Sequence, residues 1–447
     1  MNDLPVVVIG AGPQGLAAAA HLLERGKQPL VFERGEGPAA AIREWSHVRM
    51  FSPWPELIDP AGARRLSLTG WTAPVDGYPT GGEWIEAYLA PLARVLGERV
   101  RYGMRVVGVS RKGRDRLVSA GRDEQPFVVH VVDADGVESR VEAGAVVDAS
   151  GTWTQPNPAG ADGLPAIGER GAAAVDVVSS VPPTPEESAG LAGGRVVVVG
   201  SGHSAMTAII DLAETVRTDP ATEVLWVLRR GVVGDTFGGG SSDELPQRGR
   251  LGQRARAAVE DGRVRMITGF RIEEITRTDD GVILVAEDGR SLPPADDVRV
   301  LTGFRPDLSF LTEMRLDLDP VLQAPRQLAA EIDPNEHSCG SVSPHGAREL
   351  TQPESGLYLV GMKSYGRAPT FLAMTGYEQV RSVAAAIAGD HEAAARVELT
   401  LPDTGVCGGS GLFDDPETAS AGSCCGSTSA ASTDGPELIP LGVPAPE

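Results

Sequence analysis

Cysteine is scarce in this sequence, with 4 cysteines among 447 residues. That number is too small for the disulfide framework of a small secreted protein. No apolar run reaches the roughly 18 residues that a membrane-spanning helix needs. Basic residues are also few, 40 against 61 acidic residues, which gives a formal net charge of −21. This balance argues against nucleic acids and anionic membranes as partners, because both require clustered basic side chains.

The composition is otherwise that of a globular protein, and the length allows two or three domains. The chain enters the apolar stretch VVVIGAG within its first few residues, which leaves no room for a signal peptide. Together with the small number of cysteines, this predicts a cytoplasmic protein.

The amino-terminal residues 4–34 carry the pattern of a dinucleotide-binding unit. They read as a buried strand, a glycine-rich turn, an Ala- and Leu-rich helix and a second strand. Gly10 permits a tight turn, Gly12 lets a pyrophosphate approach the backbone, and Gly15 lets the helix pack on the strand. The second strand ends at Glu33, where a carboxylate is expected to bind ribose hydroxyls.

The same pattern recurs in residues 194–230, around a Gly-x-Gly-x-x-Ala turn between a Val-rich strand and an amphipathic helix. The next strand ends in Arg229 and Arg230 rather than in an acid. Two cations at this position suit the 2′-phosphate of NADP, which a carboxylate would repel. A solvated basic turn is the alternative interpretation, and we predict NADPH at this second turn.

Two dinucleotide-binding units in one chain suggest a flavoprotein, in which one unit holds FAD and the other delivers hydride to it. Two further stretches support this interpretation. Residues 143–158 form a predicted strand that ends in small residues and prolines. Residues 354–389 read as a strand, a glycine-containing loop and a helix whose N-terminus would favour an anionic reduced flavin.

The predicted fold class is α/β, with two Rossmann-like, three-layer domains. Residues 1–155 and 296–395 are expected to form an FAD-binding domain, and residues 156–295 an NADPH-binding domain inserted into it. Residues 403–447 are rich in Gly, Ser, Ala and Thr and predict a disordered tail.

Both glycine motifs, with DASGTWTQPNP (148–158) and GMKSYGRAPTF (361–371), resemble those of class B flavin-dependent monooxygenases. WSHVRMFSPW (45–54) and GWTAPVDGYPTGGE (70–83) narrow the resemblance to the arsenic-operon flavin monooxygenases, the ArsO-like proteins. The resemblance covers nearly all of residues 5–400. It implies FAD, NADPH and oxygen, a trivalent arsenical as substrate, and a role in arsenic resistance.

The sequence departs from these proteins at two places. The F-x-G-x-x-x-H segment that usually precedes the second glycine turn is absent. In the third FAD motif, Gly361 is followed by Met362 and Lys363 where an acid is usual. Lys363 is therefore a candidate phosphate-binding residue.

The cofactor-binding candidates belong to the glycine turns, the ends of the following strands and the third motif. The FAD candidates are Gly10, Gly12, Pro13, Gln14, Gly15, Glu33, Arg34, Ser52, Gly151, Gly361, Met362, Lys363 and Thr370. The NADPH candidates are Gly200, Gly202, His203, Ser204, Ala205, Arg229 and Arg230.

A second set of candidates would line the flavin and substrate pocket. The aromatic residues between Trp45 and Trp54 cluster in an irregular, proline-bounded segment, which favours a site over a helix face. The set is Trp45, Arg49, Phe51, Ser52, Trp54, Tyr365 and Arg367. Arg49 could donate a charge-assisted hydrogen bond to reduced flavin or to a phosphate. An ordinary hydrophobic core is the alternative for the aromatic residues.

The cysteines suggest a second chemistry. The chain has no C-x-x-C pair, which argues against internal disulfide reduction. Cys424 and Cys425 resemble the tail cysteines of mercuric reductases and, with Cys407, could capture a trivalent metalloid, since soft thiolates bind soft acceptors. Unbound thiols are the alternative. Cys339 could face the substrate, whereas the spacing around it is poor for a zinc site.

Three functions remain open from the sequence. The main hypothesis is an NADPH- and FAD-dependent monooxygenase that oxygenates a soft nucleophile such as a trivalent arsenical. The second is an NADPH-dependent flavin reductase of a dithiol or a thiol-bound metalloid, acting through the tail cysteines. The third is a metalloid-binding protein with a vestigial flavin, although the intact second motif argues for NADPH turnover.

Overall fold

A computed structural model of the protein describes residues 4–173, 178–231, 234–238, 245–334, 343–368 and 371–399. Its strands, in chain order, are β1 (Val6–Ile9), β2 (Pro29–Phe32), β3 (Val100–Arg101), β4 (Arg105–Arg111), β5 (Phe127–Val132), β6 (Glu138–Ala143), β7 (Ala145–Asp148), β8 (Val178–Ser179), β9 (Arg195–Val199), β10 (Glu223–Val227), β11 (Arg265–Ile267), β12 (Ile272–Thr278), β13 (Gly281–Ala286), β14 (Asp297–Val300) and β15 (Leu357–Leu359). Its α-helices are α1 (Pro13–Glu24), α2 (Ala40–Glu44), α3 (Trp54–Leu57), α4 (Pro60–Ser67), α5 (Gly81–Trp84), α6 (Ala90–Leu96), α7 (Glu169–Ala173), α8 (Pro185–Gly190), α9 (His203–Thr218), α10 (Pro246–Glu260), α11 (Arg326–Ile332), α12 (Ala373–Ala388) and α13 (His391–Ala395).

The first sheet has five parallel strands in the order β15–β7–β1–β2–β3. Its central strand β1 is buried on both faces, and successive side chains alternate between the two faces. Val6 and Val8 pack with α1, α6 and α12, whereas Val7 and Ile9 pack on the antiparallel sheet formed by β4, β5 and β6. The apolar run before the first glycine turn is therefore the middle of a three-layer unit.

The second sheet also has five parallel strands, in the order β11–β10–β9–β14–β8. Val196 and Val198 of β9 face α9 and α10, and Val197 and Val199 face the β12–β13 hairpin. Two units with helices on one face of a parallel sheet and antiparallel strands on the other confirm the predicted α/β fold with two Rossmann-like domains.

The chain crosses between the two sheets twice, after β7 and after β14, and the two crossing segments lie side by side. The N–H of Asn157 donates to the carbonyl of Gly303 at 2.8 Å. The ring of Trp153 stacks on that of Phe304 with their centroids 4.7 Å apart. Contacts between the crossings thus fix where one unit joins the other.

The position of β14 corrects one predicted boundary. The sequence predicts that the chain returns to the FAD-binding domain at residue 296, because the stretch SLPPADD (291–297) resembles a proline-rich junction between domains. Instead, Asp297–Val300 pairs in parallel with β9 and β8 and is buried along its whole length. The prolines belong to a connection within the second unit, and the Pro294 carbonyl accepts a hydrogen bond from Arg195. The second crossing therefore begins after Val300.

Within the described residues, no helix is long and apolar enough to cross a membrane. The predicted tail, residues 403–447, lies outside the described residues. The same is true of Cys339, Thr370, Cys407, Cys424 and Cys425, so the roles suggested for them stay predictions.

Candidate active site

The first glycine turn joins β1 to α1 in the predicted manner. Gly10 has a φ of 97°, a conformation that favours glycine. A Cβ atom on Gly15 would lie 1.8 Å from the Gly10 carbonyl oxygen, so only glycine lets the helix approach this closely. Gly12 caps α1, Pro13 begins it, and a Cβ on Gly12 would meet no atom within 4 Å. Open space beside the N-terminal N–H groups of α1 fits the pyrophosphate of FAD.

Glu33 and Arg34 follow β2 at the same edge of the sheet. The Glu33 carboxylate accepts the N–H groups of Ala11 and Gly35, both at 2.8 Å, and its residue is only 7% exposed. It therefore braces the glycine turn, and its oxygens keep lone pairs for ribose hydroxyls. Arg34 is exposed. Ribose binding by Glu33 stays a prediction.

The third predicted FAD segment contacts the first turn directly. Gly361 follows β15 with a φ of 68°, and a Cβ on it would lie 2.8 Å from Gln14 Cγ. A Cβ on Gly376 would lie 2.4 Å from Gln14 Cδ, and Gln14 Nε2 donates to the Ala373 carbonyl at 3.0 Å. The side chain of Gln14, at the start of α1, thus fills a slot between Gly361, after β15, and Gly376, in the first turn of α12.

Lys363 corrects the prediction of a phosphate-binding residue. Its side chain is fully buried, and its Nζ lies 2.6 Å from Asp148 Oδ2 and donates to Ser150 Oγ at 3.0 Å. The ring of Phe310 lies 4.3 Å from the same nitrogen. A buried ammonium needs a neutralising partner, and Asp148 at the end of β7 supplies it. Lys363 is therefore an internal ion-pair partner, while its neighbour Met362 is half-buried.

The second glycine turn joins β9 to α9 and has the shape of the first. Gly200 has a φ of 122°, and its carbonyl accepts the indole N–H of Trp226 at 2.6 Å. Gly202 caps α9, a Cβ on it would meet no atom within 4 Å, and Ala205 is fully buried against the strand. This turn too leaves space for a pyrophosphate beside exposed Ser204.

Arg229 and Arg230 follow β10 and point in different directions. Arg230 Nη2 donates to Ser201 Oγ, inside the second turn, at 2.9 Å. Arg229 Nη1 donates to the Ala161 carbonyl, in the first crossing segment, at 2.9 Å. Arg230 therefore lies at the nucleotide turn, and Arg229 lies on its margin.

The aromatic segment 45–54 reaches the second unit. The ring of Phe51 lies 5.3 Å from that of His203, the first residue of α9. The ring of Trp45 lies 6.5 Å from that of Trp153 in the first crossing segment. Trp54 and Ser52 are buried at 8% and 4% exposure, and Trp54 belongs to the core that contains α1. For Trp54 the structure favours the core alternative.

Arg49 and Arg367 are bound away from the positions predicted for them. The Arg49 guanidinium donates to the Tyr78 carbonyl, lies 3.6 Å from the Glu83 carboxylate and is 63% exposed. Arg367 Nε donates to Gln323 Oε1 at 2.8 Å on an exposed surface. Because partners distant in sequence hold both guanidinium groups toward solvent, the structure does not support their assignment to the flavin pocket.

Tyr365 is buried at 2% exposure, beside Phe371 and His345 at centroid distances of 5.0 and 5.6 Å. Burial raises its pKa, as does the charge of Glu331, so its hydroxyl stays protonated. Tyr365 can serve as an uncharged wall of the site and not as a base near neutral pH.

Sequence reasoning missed several residues of this region. Trp153 and Phe304, whose rings stack, were not predicted as site residues. The available signal was the position of Trp153, two residues after Gly151, which has a φ of 69° and marks an irregular turn. Neither Gln379 nor His345 was predicted as a site residue. Within the described residues, no group of three or more His, Cys, Asp or Glu side chains could hold a metal ion.

Residues 7–327, more than half of the chain, match the sequence profile of the pyridine nucleotide-disulphide oxidoreductases. The chain belongs to this family. Its members are FAD- and NAD(P)H-dependent flavoproteins, which confirms the prediction of FAD and a nicotinamide nucleotide as cofactors. When bound, FAD accepts hydride from the nicotinamide and, once reduced, passes electrons to oxygen or to another acceptor.

Particular relatives differ in chemistry. An indole-3-pyruvate monooxygenase, YUCCA1 of Oryza sativa subsp. japonica, is 31% identical over 46% of this chain and 44% of its own. Among solved structures, the bacillithiol disulfide reductase Bdr of Bacillus cereus is 22% identical with a TM-score of 0.65, over 86% of this chain and 99% of its own. The reduced form of the ornithine hydroxylase PvdA of Pseudomonas aeruginosa is 18% identical with a TM-score of 0.55, over 87% of this chain and 99% of its own. The chain spans less than half the length of the curated relatives it matches.

Proposed function

We propose that this flavin-dependent oxidoreductase is an NADPH-dependent monooxygenase that oxygenates a soft nucleophile such as a trivalent organoarsenical. One oxygen atom of O2 would go to the arsenic and the other to water, with NADPH supplying the hydride and solvent a proton. The main supporting observation is the contact of Phe51 with His203, which brings an aromatic wall to the nucleotide turn of the second unit. Such walls exclude water, which an oxygenating site requires.

The sequence contains no C-x-x-C pair, the group that internal disulfide reduction typically uses. Uncharged Tyr365 provides no base. We further propose that the enzyme acts in the cytoplasm and contributes to arsenic resistance. Arg230 and Arg229 would select NADPH over NADH.

Membership in the disulphide oxidoreductase family favours a second candidate, the reduction of a disulfide or a thiol-bound metalloid. In that case the hydride of NADPH and a proton from solvent would break an S–S bond and yield two thiols. Cys424 and Cys425 would exchange with the substrate, and their replacement by serine would abolish turnover.

Oxygen labelling of the full-length, FAD-loaded enzyme separates the two candidates. NADPH consumption, hydrogen peroxide and arsenic product would be measured under labelled oxygen, with and without methylarsenite. We expect methylarsenite to suppress peroxide release and to gain one labelled oxygen atom per NADPH, in the native enzyme and in the Cys424→Ser/Cys425→Ser variant. Peroxide equal to NADPH in both conditions, together with anaerobic reduction of a disulfide that the serine variant cannot perform, would refute the monooxygenase.

A further inference from the structure

Gly361, in the third FAD segment, is held by two buried polar side chains. Its N–H donates to Gln379 Oε1 at 2.7 Å, and its carbonyl accepts the Ser364 hydroxyl at 2.8 Å. Gln379 Nε2 donates in turn to Ser364 Oγ at 2.8 Å. Gln379 and Ser364 are fully buried. A closed ring of hydrogen bonds therefore satisfies both backbone groups of Gly361.

His345 fixes the orientation of the Gln379 amide. It is 2% exposed, and its Nδ1 lies 3.0 Å from the Ser343 carbonyl, which can only accept a hydrogen bond. Nδ1 therefore carries the proton of the neutral ring, and Nε2 is left as an acceptor. Gln379 Nε2 lies 2.8 Å from His345 Nε2 and donates to it. Consequently the amide oxygen of Gln379 must point to Gly361.

The ring of hydrogen bonds lies where three parts of the predicted FAD site meet. Gly361 packs on Gln14 of the first glycine turn, and Gln14 donates to Ala373 at the start of α12. A Cβ on Gly361 would lie 2.8 Å from Gln14 Cγ, so little space separates the Gly361 backbone from that side chain. The position of Gly361 is thus coupled to both helix N-termini that face the cofactor.

We propose that Gln379 and His345 are positioning residues of the FAD site. Gln379 holds the Gly361–Ser364 turn against Gln14, and neutral His345 holds the Gln379 amide in the required orientation. Neither residue is assigned a contact with the cofactor. The proposal requires only FAD, and it holds whether the enzyme oxygenates or reduces its substrate.

A pH dependence of FAD affinity follows from this arrangement. Burial lowers the pKa of His345, against the opposing effects of the Ser343 carbonyl and the carboxylates of Glu349 and Glu378. Glu349 pairs with Arg348, and Glu378 pairs with Arg381. Tyr365, whose ring lies beside that of His345, is neutral.

Protonation would place two donors, His345 Nε2–H and the Gln379 amide group, against each other. The amide would then have to turn, which withdraws its oxygen from the Gly361 N–H. Because the neutral ring is the form that the folded site prefers, tight FAD binding is expected at and above the usual histidine pKa of about 6.5. It is lost only as the pH falls through the lower pKa that His345 has in the folded protein.

The test measures the Kd of FAD for the apoprotein by flavin fluorescence, from about pH 8 down to about pH 4.5, well below the ordinary histidine pKa because burial lowers the pKa of His345. Gln379→Met removes both amide groups and leaves the Gly361 N–H unpaired. We expect a Kd raised roughly tenfold at the higher pH, since an unpaired buried donor is costly. We also expect its pH dependence to be lost.

Gln379→Glu keeps an acceptor for Gly361 and offers protonated His345 an acceptor as well. Its FAD affinity is expected to hold or to rise as the pH falls, the reverse of the native protein, so this variant remains informative if Gln379→Met fails to fold.

Ser382→Ala is the matched control. Ser382 lies on α12 one turn after Gln379, is 1% exposed, and joins the same two segments by accepting the Ala347 N–H at 2.9 Å and donating to the Ala394 carbonyl at 2.6 Å. It does not bond to Gly361. We expect a lower unfolding temperature with an unchanged FAD Kd. Equal losses of FAD affinity in Ser382→Ala and Gln379→Met, or a native Kd that is constant across the pH range, would overturn the proposal.

Discussion

The ring of Phe51 lies 5.3 Å from the ring of His203, at an interplanar angle of 47°. Phe51 belongs to the unit of the first sheet, whereas His203 begins the helix that follows the second glycine turn. A side chain of one nucleotide-binding unit therefore touches the nucleotide turn of the other. Any reaction that passes hydride between the two cofactors depends on how these units meet, and this contact is part of that junction.

Phe51→Ala removes the ring that contacts His203. We expect the KM for NADPH to rise about 2- to 10-fold, because an aromatic pair contributes about 0.5–1.5 kcal/mol beyond its buried area. FAD content should not change. Phe51→Tyr keeps the ring and should behave like the native enzyme in steady-state NADPH oxidation. If the tyrosine and alanine variants have the same KM, the contact does not support nucleotide binding.

Arg230→Ala and Arg229→Ala test the origin of the NADPH preference. Arg230 bonds to Ser201 within the second turn, so its loss should raise the KM for NADPH far more than the KM for NADH. Charge-assisted hydrogen bonds to a phosphate are the stronger kind, and we expect roughly a tenfold difference. Arg229, bound to the Ala161 carbonyl, should have the smaller effect. Equal changes for both nucleotides would exclude 2′-phosphate binding by these residues.

The glycine turns could be predicted from the sequence because their chemistry is local. The close approach of Gly15 to Gly10 and the open face of Gly12 depend on residues at most five positions apart, so their spacing alone indicates the turn. Strand alternation at β1 and β9 is local in the same way. These features settled the fold class and the two cofactor turns.

Charged side chains could not be placed from the sequence, since their partners are distant along the chain. Lys363 follows a glycine where a phosphate ligand was plausible, but Asp148, more than two hundred residues earlier, neutralises it. Arg49 is held by Tyr78 and Glu83 through a loop that no periodicity predicts. β14 was misplaced for a related reason: pairing with β9, about a hundred residues away, decides its domain.

The Asp148–Lys363 ion pair should be essential for stability rather than for phosphate binding. Lys363→Met leaves a buried carboxylate without its cation, which costs about 3–5 kcal/mol of unfolding free energy. Asp148→Asn combined with Lys363→Met removes both charges and should recover most of that loss. Denaturant unfolding of the apoproteins measures both effects.

The exposed pair Arg326–Asp317 provides the comparison, with side chains 55% and 46% exposed. Asp317→Asn should change the unfolding free energy by less than about 1 kcal/mol. If Lys363→Met is equally mild but weakens FAD binding, Lys363 acts on the cofactor after all.

Replacing packed Gly15 and open Gly12 in separate variants distinguishes folding from cofactor binding at the first turn. Gly15→Ala places a Cβ 1.8 Å from a backbone oxygen, so the apoprotein should lose about 2 kcal/mol or more of stability. Gly12→Ala meets no protein atom and has an ordinary backbone conformation, so its apoprotein should lose only about 0.5–1 kcal/mol of stability, the difference between glycine and alanine at an N-cap. Its methyl group nevertheless occupies the space that we assign to the pyrophosphate, and the Kd for FAD should rise at least roughly tenfold, a loss of about 1.4 kcal/mol.

Unfolding of the apoproteins and FAD titration measure the two quantities separately. Native FAD affinity in Gly12→Ala would mean that the pyrophosphate does not lie against this turn.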